Sequence, residues 1–224
     1  MSLPQICYQC LLPPTTDQSL QRCGRCQSRL YCSKDCQRLD WIIGSHKKQC
    51  EPPAADATPP PIDLIDGVRL HCRKDGGGWI GTKIPNNHVI FNSYVMPVPG
   101  LLEIPLVIHR VGTQSLDQAD LDCQIATYLN IHPVTGLAPT QWLSNIGTCV
   151  IGRKDRKPLS PQHLELVYMF IDGLLDDFGD VGPEKAREAM TRERFEKFAE
   201  VYRRNELKKG REERWADVRS IYDV

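Results

Sequence analysis

The chain has 224 residues, 41% hydrophobic and 25% charged, a balance that suits a globular protein and excludes a largely disordered one. Its 28 Lys+Arg match its 28 Asp+Glu, so no general pull toward nucleic acid or an anionic membrane is expected. The length suits one ordinary domain, or a small module joined to a medium one.

The opening residues, MSLPQIC, lack a basic region followed by an apolar stretch, so no secretory signal is expected. No apolar run approaches the ~20 residues of a membrane helix, and no membrane partner is expected. An intracellular protein, nuclear or cytoplasmic, keeps its thiols reduced. Ten cysteines then point to metal and not to disulfides.

Seven of those cysteines precede residue 51, in the order Cys7-x2-Cys10, Cys23-x2-Cys26, Cys32-x3-Cys36 and His46-x3-Cys50. Each pair spans a short bend, so both side chains can aim at one metal. Zinc takes four such ligands tetrahedrally, and eight ligands make two closed sites with no position open for water, which reads as structural and not catalytic. Ser33 is an N-cap for a helix over Lys34–Ile43 that Gly44 ends. Cys32 then precedes this helix and Cys36 lies in its first turn, where the helix N-terminus favours thiolate. Gly24 allows the tight turn of the Cys23–Cys26 knuckle. Spacing alone leaves two groupings open: one site from Cys23, Cys26, Cys32 and Cys36, or two interleaved sites.

With Gln37 and Trp41 between the later ligands, residues 7–50 resemble a MYND-type zinc finger, every ligand position being present. The resemblance implies interleaving, with Cys7, Cys10, Cys32 and Cys36 on one zinc ion and Cys23, Cys26, His46 and Cys50 on the other. It also implies that proline-containing peptides bind beside Gln37 and Trp41, two residues that share a helix face. An aromatic plate with an amide neighbour suits a stiff proline-rich segment. The competing expectation packs Trp41 internally, against Tyr31 or the second domain. Seven basic residues against three acidic ones give this module a formal +4. The thiolates that zinc requires reduce it to about +1, so nucleic acid is disfavoured as a partner.

Residues 52–66, with EPPAADATPPP at 51–61, read as a stiff proline-rich linker. It divides a finger at 1–51 from an α+β domain at 67–182 with a mainly antiparallel sheet, followed by a charged helical tail at 183–224. Strands are expected at Val68–Cys72, Val89–Val95, Leu102–Val111, Ile125–His132 and Gly147–Arg153. Pro105 places its segment at an edge or bulge, and Pro133–Gly136 reads as a turn. Ser160 caps a long helix with Pro161 at its first position and Gly179 at its end. Leu164, Val167, Tyr168, Ile171, Leu174, Leu175 and Phe178 form its apolar stripe, expected to cover one sheet face. In the tail, Phe195, Phe198 and Tyr202, then Trp215, Val218 and Tyr222, give narrow stripes on two further helices, for the domain or for a partner. RRNELKKGREER at 203–214 reads as a solvated helix face. The stretch YLNIHPVTGLAP at 128–139 and the helix after it resemble the second half of certain fungal MYND proteins.

Three motifs offer other chemistry. GGGWIGTK at 76–83 nearly fits a phosphate loop, but Thr82 and Lys83 are reversed and Pro85 opposes the helix such a loop needs; a hairpin tip is expected. Cys72, Cys123, Cys149, His71, His88, His109, His132 and His163 show no ligand spacing. Asn87-His88 resembles part of a cofactor motif of SET-type lysine methyltransferases, some of which contain MYND fingers, but VIFNSYV does not continue the motif. The expected function is therefore a non-catalytic, zinc-binding adaptor for proteins or peptides with a proline-containing motif. A SET/MYND methyltransferase and a nucleic-acid-binding regulator are the alternatives.

Overall fold

Four strands form the central sheet of the protein, whose computed structural model describes residues 5–15, 19–42, 44, 46–53, 63–111, 120–180 and 182–224. The N-terminal module comes first, with the short pair β1 (Gln21–Arg22) and β2 (Leu30–Tyr31), then helices α1 (Lys34–Ile42) and α2 (His46–Gln49). The sheet follows: β3 (Leu64–Leu70), β4 (Trp79–Pro85), β5 (Leu106–Arg110) and β6 (Cys149–Arg153), in the order β4-β3-β6-β5 with all neighbours antiparallel. Short helices α3 (Pro97–Leu101) and α4 (Gln124–Leu129) lie between strands, and α5 (Pro161–Asp180), α6 (Pro183–Glu188), α7 (Arg192–Lys208) and α8 (Glu212–Trp215) complete the chain.

The strand alternation gives the sheet two different covers. Val68, Leu70, Leu106, Ile108, Cys149 and Ile151 face a core that holds Leu164, Val167, Ile171 and Leu174 of α5. The Ser160 hydroxyl accepts a hydrogen bond from the His163 amide at 3.1 Å and caps this helix, which continues past Gly179 to Asp180. The last helices share the same core: Phe195 and Trp215 are fully buried, and Phe170 meets Phe195 edge-on at 5.4 Å. The tail stripes thus dock on the domain, joined by Tyr202 and Arg214 bonding to buried Glu165.

On the opposite face, Ile84, Val107 and Val150 pack with Ile90, Phe91 and, from the N-terminal module, Leu11 and Ile6. Three hydrogen bonds fix that contact: Tyr8 Oη to the Asn87 carbonyl (2.7 Å), Arg69 to the Cys10 carbonyl (2.6 Å) and Thr82 to the Leu11 carbonyl (3.4 Å). Rings continue it, from Tyr8 to His88 and from His88 to His109, each pair 5.1 Å apart. Burial, then His109, hold His88 down at about 3, and burial lowers His109 as well. Gly67 is required on this face, because a Cβ there would come 2.4 Å from Ile84 Cδ1 and 2.8 Å from the Ile151 carbonyl.

Several expected elements differ. The sheet includes β4, where the sequence suggested a hairpin tip; the turn is only Gly76–Gly78, all at positive φ, which glycine adopts freely. Val89–Val95 is not a strand but a 3-10 turn at Val89–Asn92, because His88 Nδ1 accepts the Ile90 amide and starts a turn. Ile125–His132 is not a strand either: α4 occupies Gln124–Leu129 and buries Ala126 and Leu129. Leu102–Val111 is strand only over Leu106–Arg110, an edge strand with Pro105 just before it, since Leu102 still closes α3. Val68–Cys72 belongs to the earlier and longer β3, and Gly147–Arg153 starts pairing at Cys149. The turn at Pro133–Gly136 is present, with Gly136 at φ 68°. Of the linker expected at 52–66, residues 54–62 lie outside the described residues, while Leu64–Asp66 already pair in β3.

Candidate metal centre

Two knuckles and two helices bring the eight ligands together. In the first knuckle the Leu11 amide bonds back to the Cys7 carbonyl at 2.9 Å, with Leu11 at φ 55°. In the second, the Gln27 amide bonds to the Cys23 carbonyl at 2.9 Å; its left-handed residue is Gln27 (φ 54°), not Gly24. Cys32 directly follows β2, and Ser33 Oγ accepts the Cys36 amide at 3.1 Å, capping α1 so that Cys36 sits in the first turn. His46 and Cys50 come from α2 and the residue after it.

The ligand atoms form two groups, Cys7/Cys10/Cys32/Cys36 and Cys23/Cys26/His46/Cys50, with all atoms of a group within 4.8 Å of one another. Cys10–Cys32 sulfurs are 3.6 Å apart, Cys32–Cys36 3.5 Å and Cys23–Cys50 3.8 Å, while Cys26 Sγ lies 3.3 Å from His46 Nε2. A tetrahedron with Zn–S bonds of ~2.3 Å has edges of ~3.8 Å. The spacings therefore fit a divalent ion inside each group, and are far from the ~2.05 Å of a disulfide. Two zinc ions fit, one on four thiolates and one on three thiolates and an imidazole. Among the described residues no other cluster gathers three such ligands; Cys72, Cys123 and Cys149 are buried.

The thiols of the first group lie close enough to hydrogen-bond one another. Hydrogen bonding from Cys10 and then Cys36 holds Cys7 at about 2, while Cys36 and then Cys7 push Cys10 far above the thiol range. Zinc binding requires these thiols as thiolates and so releases their protons. In the second group, burial and then Arg29 lower His46, which favours the neutral imidazole that ligates metal.

Sequence reading missed what orients His46. Its Nδ1 meets Tyr31 Oη at 2.7 Å, and Tyr31 donates to Asp40 Oδ2 at 2.6 Å. With Tyr31 donating to Asp40, His46 Nδ1–H is the donor to Tyr31, which leaves Nε2 for the metal. Arg29 Nη1 donates to both Asp40 oxygens at 2.7 and 2.9 Å, and the guanidinium carbon Cζ lies 4.0 Å from the Tyr8 ring centre. Arg29 and Asp40 are 4% and 1% exposed, so both of these counted charges lie inside the finger and not on its surface. The available signal was periodicity: Asp40 lies four residues after ligand Cys36, on the inward side of α1.

The family model of the MYND finger matches residues 7–50. These residues are a MYND finger. The finger is a zinc-binding protein-interaction module. SET domain-containing protein 14 of Caenorhabditis elegans is 42% identical over 45 residues, which are 20% of this chain and 9% of that protein. The N-lysine methyltransferase SMYD2 is 46% identical over 35 residues in Bos taurus, covering 16% of this chain and 8% of that protein. The Homo sapiens protein is 42% identical over 38 residues, covering 17% and 8%. The chain thus spans under a tenth of the length of these relatives, and the methyltransferase likeness lies in the finger. No solved structure matches the chain.

The remaining predicted site residues stand on the outer side of the finger. Gln37 is partly buried and Trp41 is 36% exposed. The Trp41 ring meets His46 edge-on, with centroids 5.7 Å apart at 76°. Its inner contact is therefore a zinc ligand, not Tyr31.

Proposed function

We propose that the finger presents Gln37 and Trp41 to a proline-containing segment of a partner protein, and that the chain acts inside the cell, in nucleus or cytoplasm, as a non-catalytic adaptor. The observation that carries this reading is the half-exposed Trp41 ring braced against His46. A ring fixed by a metal ligand loses little freedom when a proline stacks on it, and an extended proline-rich segment is itself stiff. Gln37, one turn earlier on α1, supplies an amide for a peptide carbonyl. Reading the remainder as a scaffold agrees with the confinement of the methyltransferase likeness to the finger. Asn87 and His88, which resembled a cofactor motif, are engaged by Tyr8 at the finger contact.

Titration of the zinc-loaded chain with a synthetic peptide bearing three consecutive prolines tests the proposal. Trp41→Ala is expected to weaken binding by ~1–3 kcal/mol and Gln37→Ala by ~0.5–1.5 kcal/mol, both with two zinc ions retained. Unchanged affinity in a folded Trp41→Ala variant refutes the site. Methyl transfer from S-adenosylmethionine to a peptide by the purified chain overturns the non-catalytic reading.

A further inference from the structure

Helix α1 carries more than a proline platform on its outer side. Lys34, Gln37, Arg38 and Trp41 follow the i, i+3, i+4, i+7 spacing of one helix face. Lys34 and Arg38 are exposed, and neither holds an ion pair with a described residue. The neighbouring charges differ: Arg29 is spent on Asp40 inside the finger, and Arg22 bonds the Gln27 carbonyl. Asp35 is exposed and makes no ion pair with Arg38. Beyond α1, Lys47 and Lys48 are exposed on α2. The face beside Trp41 therefore carries two exposed cations that no carboxylate among the described residues pairs with.

We infer that the partner segment carries acidic residues beside its prolines, placed to meet Arg38 and Lys34 while a proline lies on Trp41. This rests on the function proposed above and adds the chemistry and register of the partner. Along the helix Arg38 is ~4.5 Å and Lys34 ~10 Å from Trp41, at ~1.5 Å per residue. A polyproline segment advances ~3.1 Å per residue. The acidic residues accordingly fall within about one to three residues of the stacked proline.

Fluorescence anisotropy on the full zinc-loaded chain tests this with labelled peptides sharing one three-proline run. One set carries two glutamates within three residues of the prolines, on either side; a second carries them six or more residues away; a third has lysines in the near positions; a fourth has near glutamates with the prolines replaced by alanine. The near-acid peptides are expected to bind roughly three- to tenfold tighter than the far-acid ones at low salt, the scale of two exposed ion pairs. The advantage falls as salt shortens the screening length. Arg38→Gln combined with Lys34→Gln removes it and leaves far-acid binding and zinc content unchanged. Equal binding of near and far peptides overturns the inference and leaves the proline site standing. Equal binding of the alanine peptide reduces it to nonspecific charge attraction and overturns it. Loss of zinc in the double variant assigns both cations to the metal centre and overturns it. If no proline peptide binds, the proposed function itself fails.

Discussion

The finger and the sheet domain reach order by different means. Inside the finger the buried apolar cluster is mostly ligand sulfur, with Tyr8 and Tyr31 as its buried aromatic residues. The sheet domain instead packs aliphatic residues from β3, β5, β6 and α5, with aromatic support from α7 and α8. A module of some forty residues lacks the apolar surface to fold unaided, so metal replaces a core. The difference ends at the contact, where Leu11 of the finger joins Ile84, Val107 and Val150 of the sheet. There the metal-built unit supplies part of the other unit's cover.

Metal removal breaks the comparison most strongly. Chelation is expected to unfold the finger with a loss of ~10 kcal/mol or more of apparent folding free energy. Amide exchange should then show β1, β2 and α1 unprotected, while β3 and β6 keep protection at reduced stability. Full retention of α1 protection without metal would mean that the finger has an adequate core of its own. Asp40→Ala comes next. It strands Arg29 in a site 4% exposed and removes the anchor of Tyr31 and His46, and ~3–5 kcal/mol is the expected cost of such a break. Cobalt spectroscopy of this variant should show the site with His46 altered and the four-thiolate site kept.

Leu11→Ala sharpens the other half. It removes a side chain 1% exposed at the contact, and the expected loss is ~2–4 kcal/mol in denaturant unfolding of the sheet domain, with both zinc ions retained. A loss confined to the finger would separate the two units. The smallest effect is expected from Ser33→Ala, which deletes the hydroxyl that caps α1 at the Cys36 amide, at ~1 kcal/mol.

The metal ligands were legible because tetrahedral zinc demands paired donors at short, fixed spacing, a constraint that survives without any knowledge of packing. Helix α5 was legible for a similar reason: Ser160, Pro161 and the Leu164-to-Phe178 stripe all favour the same local structure. Residues 125–132 misled because β-branched and aromatic residues favour strands locally, whereas burial of Ala126 and Leu129 selects a helix. In β4, the glycines before Trp79 and the proline at its end concealed seven residues that pair in full with β3. The Arg29–Asp40 pair was invisible to a charge count, which cannot tell a solvated ion from a buried one. The second sheet face was equally hidden, since its cover arrives from a module separated from it in sequence by the proline-rich stretch.

Metal analysis of the full chain, purified without added zinc, tests the central claim most directly. Two interleaved closed sites with no spare ligand predict two zinc ions per chain. One ion, or three, would contradict the account.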